Sequence, residues 1–409
     1  MKLFRNGVLV ILALAAALAL FFRAELTQLW TIAHLFDEQD IVRNFQHMDE
    51  IFPTHPVAAG GSVMEFERGD YTLPESFEYE GKSYDTEEFL SDTMTTGLLI
   101  MQNDRILLER YAHGHSETGR HIAWSVSKAV LSALFGIAVE EGHIRDIMQP
   151  VTDYLPELEG SGYDGVSIKN ILQMSSGVGF DENYGDPDSD INRMSRELAL
   201  GGTLLEFAAT LERARPPGTL QHYVSIDTQV LGTTLVRATG RSLADYTSEK
   251  LWKPVGMEQD AYWMVDGSGM EMAFGGFNAS LRDFARLGRL YLNGGRWDGK
   301  QIVPAAWVTA SITPDAPHLM TGPKPGSDNT MGYGYQWWLP ADSDGDFMAL
   351  GVYNQMIMVD PKHRLVIAKN SANRDFQHNN FESTRETVAL WRAIASDLDR
   401  QHTGLSVTR

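Results

Sequence analysis

From Ala129 to Val139 the chain reads Ala-Val-Leu-Ser-Ala-Leu-Phe-Gly-Ile-Ala-Val, and only Ser132 and Gly136 are not apolar. A helix with no face suited to water belongs in the middle of a large domain, so much of the chain has to wrap around this stretch. Glu140-Glu141-Gly142 ends it, with glycine in the usual place after a helix C-terminus. Ser125 and Lys128 stand at its N-terminal mouth, three residues apart and hence on one face. A hydroxyl beside an amine supplies a nucleophile and a base there, and the free N–H groups of a first turn can hold an oxyanion. Ser-x-x-Lys alone is a weak signal, since ordinary composition gives roughly one such match in a chain of this length. The plain alternative is a capping serine with a solvated lysine one turn on.

With 409 residues and 43% hydrophobic content the chain can bury a sizeable core, in one large domain or two ordinary ones. A net charge of −20 argues against nucleic acid as a partner, which needs a basic surface. Cysteine is absent, which excludes disulfides, thiolate metal sites and a thiol nucleophile. Lys2 and Arg5 precede an apolar run from Val8 to Phe22, the layout of a secretory signal or a signal anchor over residues 1–24. An uncleaved anchor, extended by a snorkelling Arg23, is the favoured expectation; cleavage after Ala17-Leu18-Ala19 is the alternative. Either way the body is expected outside the cytoplasm, periplasmic or anchored to the inner membrane.

Residues 25–60 read as a helical, mixed-polarity connection into a domain spanning 61–398, with 399–409 as a tail. Thr96–Met101 and Ile106–Tyr111 flank Asn103-Asp104 and predict a hairpin. His113, His115 and His121 match no metal-ligand spacing and lack a carboxylate partner. Asp186, Asp188 and Asp190 alternate as in a calcium loop, with Glu197 at its twelfth position. The sixth position is Ile191, where the sharp turn needs glycine, so a solvated loop is expected and no metal or cofactor is assigned. Residues 150–270 are mostly helical in period: a short helix in Val166–Met174, then Pro216-Pro-Gly-Thr219, Tyr223 in a loop, and a helix from Asp227 to Ala238 stopped by Gly240. Gly275-Gly-Phe-Asn-Ala-Ser280 is expected to open a helix running to about Leu292, and Pro304 to start another. Strands are expected at Tyr333–Trp338, Phe347–Val359 and Arg364–Lys369, and a last helix from Glu382 to about Leu398. The fold class is therefore α/β, with a helical insertion and a sheet drawn from both chain ends.

Trp124-Ser-Val-Ser-Lys128, Leu172-Gln-Met-Ser-Ser-Gly-Val178, Pro216-Pro-Gly-Thr219 with Tyr223, and Gly275–Gly288 together resemble the serine β-lactamase and penicillin-binding-protein superfamily. Within it they are most similar to the class C-like branch, which includes carboxylesterases and 6-aminohexanoate-dimer (nylon-oligomer) hydrolases. The loop Asp181–Asp190 and the run Asn293–Pro304 resemble the last group. The resemblance implies an antiparallel sheet flanked by helices, Ser125 as acylated nucleophile, Lys128 as its activating partner and Tyr223 as a proton relay. It implies an oxyanion hole made by the backbone N–H groups of Ser125 and Val352, and a substrate surface at Tyr184, Ser225, Tyr353 and Asn354. Two departures stand out: Ser225 replaces the asparagine of Tyr-x-Asn, and Gly351-Val-Tyr-Asn-Gln355 replaces Lys-Thr-Gly.

Tyrosine titrates near 10, so bringing Tyr223 to neutrality takes about 4 kcal/mol of favourable interaction with its phenolate. A protonated Lys128 could provide that; alternatively Lys128 is the neutral base and Tyr223 only shuttles. The expected function is hydrolysis of a small amide or ester through an acyl-serine. A cell-wall binding protein that acylates and turns over slowly is the alternative from another class, and an inactive scaffold is a third.

Overall fold

The structure, a computed structural model, describes residues 23–402 together with Phe4 and Asn6. Its base is an eight-stranded sheet built from β1 (Glu67–Arg68), β2 (Thr95–Gln102), β3 (Arg105–Tyr111), β4 (Gly332–Tyr333), β5 (Trp338–Leu339), β6 (Phe347–Gly351), β7 (Gln355–Asp360) and β8 (Leu365–Ser371). The order β4-β5-β6-β7-β8-β2-β3-β1 brings the two ends of the domain together at the β8–β2 pair. All pairs are antiparallel except the edge strand β1, which runs parallel to β3. The expected hairpin is β2–β3, turned at Asn103 (φ 49°) and Asp104 (φ 63°), residue types that tolerate the left-handed region.

Three expected elements take a different form. Phe347–Val359 is not one strand but β6 and β7, joined through Val352–Asn354. Tyr353 (φ 61°) and Asn354 (φ 65°) are both left-handed there, which reverses the chain within a continuous apolar pattern. Tyr333–Trp338 is likewise a turn between the two short strands β4 and β5, with Gln336 at φ 64°. Phe277–Ala279 is a strand, and the helix that follows starts only after Ser280, whose hydroxyl accepts from the Asp283 N–H at 3.2 Å.

A second, four-stranded sheet runs Thr54–Val57, Ala261–Met264, Phe277–Ala279, His121–Ile122. Within the stretch expected as a connection, Leu35, Ile41, Phe45, Met48, Ile51 and Val57 are all buried in the common core. The apolar run Val8–Phe22, expected as a signal or anchor, lies outside the described residues. Among the described residues no helix is long and apolar enough to cross a membrane.

Four helices organise the rest: α1 (Ser127–Glu140), α2 (Ser225–Thr239), α3 (Leu281–Leu292) and α4 (His378–His402). As its composition demands, α1 is buried from Ser127 to Ala138. Its two non-apolar positions both have a use. Ser132 donates to the Tyr335 carbonyl at 2.8 Å, and Gly136 leaves room for the indole of Trp307. α2 packs against α1 and ends at Gly240 (φ 66°), while α3 lies on β7 and β8 with Gly288 against Val366 and Ile357. α4 sends Leu390, Trp391, Ile394 and Leu398 into the core. Between α1 and α2 the chain is mostly short helices and loops: Ile168–Leu172, Asp190–Ala199 and Leu204–Ala209.

The Gly136–Trp307 contact makes a direct test of this packing. A Cβ at position 136 would stand 2.4 Å from the indole, so Gly136→Ala overpacks the centre of the domain. The expected cost is about 1–3 kcal/mol, read as a lower urea midpoint at unchanged slope. An unchanged midpoint means the indole moves aside freely.

Candidate active site

The turn that carries Ser125 is set by the small sheet. Ala123 N–H donates to the Phe277 carbonyl at 2.8 Å, and the chain then enters one 3₁₀ turn, Trp124–Val126, before α1 begins. Trp124 has φ 45°, a costly conformation for a bulky residue. It is held by packing: its indole meets Phe45 at 5.3 Å, Tyr353 at 5.8 Å and Phe36 at 6.1 Å between ring centroids. From the other side β6 closes in. A Cβ on Gly351 would lie 2.6 Å from the Ala123 carbonyl oxygen, so only glycine lets the strand come this near. Val352 follows Gly351 directly.

Ser125, Lys128, Tyr223 and Ser225 come together. Lys128 Nζ lies 2.8 Å from Ser125 Oγ, 2.8 Å from the Phe274 carbonyl and 3.3 Å from Ser225 Oγ. Lys128 is 2% exposed. Burial drives its pKa down to about 7, against the pull of Glu182 and Asp227. It also sits 5.0 Å from the centre of the Tyr223 ring, whose outer face stacks on Trp338 at 5.4 Å. Burial and the Glu182 charge push the Tyr223 phenol well up, and a hydrogen bond with Ser125 works in the opposite direction. Ser127, the other hydroxyl of the motif, faces away: its Oγ accepts from the Phe277 N–H at 3.1 Å and it is fully buried.

The remaining expected residues divide. Tyr353 stacks on Phe36 at 5.5 Å and meets Phe376 at 4.6 Å, and Tyr184 meets Phe376 at 5.8 Å. An aromatic wall therefore runs from Trp124 to Tyr184. Asn354 does not join it. Its Oδ1 accepts from Asn373 Nδ2 at 2.7 Å and Ser383 Oγ at 3.0 Å, so it ties the β6–β7 turn to the chain that leads into α4.

Sequence reasoning missed Glu182 and Asp227. Glu182 accepts from the Ser225 N–H (2.9 Å), Ser225 Oγ (2.5 Å) and the Tyr184 hydroxyl (2.7 Å). Spacing gives no hint of it, because 43 residues separate Glu182 from Ser225. Asp227, in the first turn of α2, is fully buried and raised by that burial to about 8, although Tyr163 donates to it at 2.8 Å. His115 and His121 are buried with ring centroids 5.5 Å apart, and burial lowers both. Asp186 and Asp190 accept backbone N–H groups of their own loop.

A helix mouth carrying a serine in contact with a buried amine, at the junction of an antiparallel sheet and a helical layer, defines a class. Residues 88–390 match the Beta-lactamase family, and the chain belongs to it: it is a serine hydrolase of the β-lactamase fold. It is similar to the 6-aminohexanoate-dimer hydrolase of Paenarthrobacter ureafaciens, 32% identical over 324 residues, which cover 77% of this chain and 81% of that one. Among solved structures it is similar to a Bacillus anthracis protein provisionally assigned as a 6-aminohexanoate-dimer hydrolase. That match has a TM-score of 0.80 at 26% identity and covers 90% of this chain and 96% of the other. A penicillin-binding-protein homologue from Caulobacter crescentus shares the fold, with a TM-score of 0.58 at 16% identity over 76% of this chain and 96% of that one.

The geometry separates the two motif serines experimentally. Ser125→Ala is expected to abolish labelling by a fluorophosphonate probe, whereas Ser127→Ala stays labelled. Mass spectrometry of the labelled peptide checks it, and the reverse pattern would move the nucleophile to Ser127.

Proposed function

We propose that the protein hydrolyses small linear amides or esters through an acyl-serine, as a 6-aminohexanoate-dimer hydrolase-like or carboxylesterase-like enzyme. The observation that carries this reading is the 2.8 Å contact between Ser125 Oγ and a buried Lys128 amine whose pKa is brought to about 7. A neutral amine is a competent base at that pH. In the proposed cycle the Ser125 proton passes to Lys128 Nζ as Oγ attacks the substrate carbonyl carbon. The resulting oxyanion is taken by the N–H groups of Ser125 and Val352. As the C–N or C–O bond breaks, the proton returns from Lys128 through the Tyr223 hydroxyl to the leaving nitrogen or oxygen. Water then attacks the acyl-serine, giving its proton back along the same path, and Ser125 is released with its proton. The upward shift of Tyr223 supports a phenol that shuttles, and argues against a standing phenolate.

Tyr223→Phe keeps the ring on Trp338 and removes only the hydroxyl, so it is expected to fold normally and to lose ~10²–10⁴-fold in kcat/KM. In the wild type the acid limb of the pH–rate profile should lie near 7, the value of Lys128, with activity rising as the amine loses its proton. Steady-state kinetics across pH measure both; near-normal rates in the Phe variant would leave Tyr223 a packing residue.

Substrate class follows from the wall opposite. β-Lactam antibiotics carry a carboxylate, and Gly351-Val-Tyr-Asn-Gln355 offers it no cation. Lys369, on β8, is 1% exposed and burial lowers its amine to about 7, so it is withdrawn from solvent and is not a standing cation for an incoming acid. Arg374, whose field reaches Tyr353, is exposed and already paired with Glu38 at 3.4 Å. A missing charge-assisted contact is worth ~1.5–3 kcal/mol, roughly tenfold to a hundredfold in efficiency. The aromatic wall suits an unbranched apolar chain, and Tyr184 can donate to a leaving amide nitrogen once its hydroxyl turns from Glu182. Short-chain p-nitrophenyl esters, and linear amides such as the 6-aminohexanoate dimer, are expected to be cleaved with much higher kcat/KM than nitrocefin. A tenfold advantage for nitrocefin would make the protein a β-lactamase. A stable adduct in place of turnover would make it a slow acylating binder.

A further inference from the structure

The structure assigns Glu182 a positioning role: through Ser225 it fixes which way the Lys128 amine faces, so that its lone pair is aimed at Ser125. This rests on the reading of Lys128 as the base. The argument is one of counting donors. Glu182 accepts from three groups at once, the Ser225 N–H, the Ser225 hydroxyl and the Tyr184 hydroxyl, and so uses both of its oxygens as acceptors. The single proton of Ser225 Oγ is committed to it at 2.5 Å. Ser225 Oγ can then meet Lys128 Nζ only as an acceptor, at 3.3 Å. The Phe274 carbonyl, at 2.8 Å, can only accept as well. A neutral amine has two hydrogens, and both are now spoken for. What remains toward the third partner, Ser125 Oγ at 2.8 Å, is the lone pair that takes its proton.

Charge supports the same assignment. The groups around Lys128 are Tyr223 just before α2 and Asp227 in its first turn, Glu182 and Tyr184 from the loop Asp181–Asp190, and the phenols of Tyr163 and Tyr333 beyond them. Burial raises all four tyrosines, and Asp227 is raised to about 8, so in the neutral range these groups carry little charge. The Glu182 carboxylate is the anion that offsets the desolvation of the amine, and Lys128 is pulled upward by it. It thus both orients the base and keeps its pKa from falling further.

The test reads the nucleophile itself, as the second-order rate of Ser125 inactivation by a fluorophosphonate across pH, in which the Oγ–P bond forms, the P–F bond breaks and the Ser125 proton goes to Lys128. Glu182→Gln keeps shape, yet whichever way the amide turns it sets an N–H against one of the donors of Ser225 or Tyr184. We expect an unchanged melting temperature, a loss of roughly 10- to 100-fold in rate, and an acid limb moved about one unit lower. Ser225→Ala cuts the relay and leaves the charge, so it should lose rate by a similar factor with the limb in place. A limb that does not move in Glu182→Gln reduces Glu182 to a loop anchor and overturns the proposal. Should that variant not fold, a wild-type rate in Ser225→Ala overturns it alone. Absence of any labelling at Ser125 in the wild type would instead remove the serine-hydrolase reading on which this depends.

Discussion

A lysine buried at 2% exposure is the condition around which the rest of the site is arranged. Removing a charged ammonium from water is expensive, and proteins meet the cost by neutralising the group or surrounding it with partners. Here both happen. The pKa falls to about 7, and three oxygens from three different parts of the chain crowd the nitrogen. Each of those oxygens needs an element to hold it: the 3₁₀ turn before α1 for Ser125, the start of α2 for Ser225, and the segment before Phe277–Ala279 for the Phe274 carbonyl. The all-apolar composition of α1 follows from the same demand. A helix that carries its lysine into the core must be enclosed on every side.

A second constraint is proximity. The turn carrying Ser125, the β6–β7 turn and the N-terminal segment converge on a few ångströms of space, and local conformations give way to let them do so. Trp124 takes φ 45°, Tyr353 φ 61°, and position 351 carries no side chain. Strain of this kind persists only where surroundings over-determine it. The surroundings are the rings of Phe36, Phe45 and Phe376, two of them from the part of the chain before residue 60. That segment thus supplies part of the aromatic wall around Trp124 and Tyr353.

What could be read from sequence was whatever is local and periodic. The apolar run of α1, the β2–β3 hairpin with its Asn-Asp turn, and the glycine stop at Gly240 are each specified within a dozen residues. The Ser125–Lys128 pair belongs with them, because three-residue spacing on a helix is itself a geometric statement. Phe347–Val359 could not be divided by period, since both β6 and β7 are apolar on both faces and the turn between them is made by Tyr353 and Asn354, neither a glycine. Asn354 was placed at the site by position in the motif, whereas its amide oxygen is held by Asn373 and Ser383, residues about 20 to 30 positions on. Glu182 was visible in a quoted loop but had no local partner to mark it. Its meaning depends on Ser225, and that contact exists only after folding.

The exchange of asparagine for serine at position 225 shows why a departure from a family pattern has to be judged in three dimensions. An asparagine carries its own acceptor and donor, and so can orient a neighbouring lysine unaided. A serine hydroxyl has one proton and is free to rotate. By itself it would as readily donate to the amine's lone pair as accept from its hydrogen, and the former silences the base. A nearby carboxylate removes that ambiguity by taking the proton. In the proposed arrangement Glu182, at 2.5 Å from Ser225 Oγ, supplies that acceptor, and the two positions are proposed to act as one unit although neither is recognisable without the other.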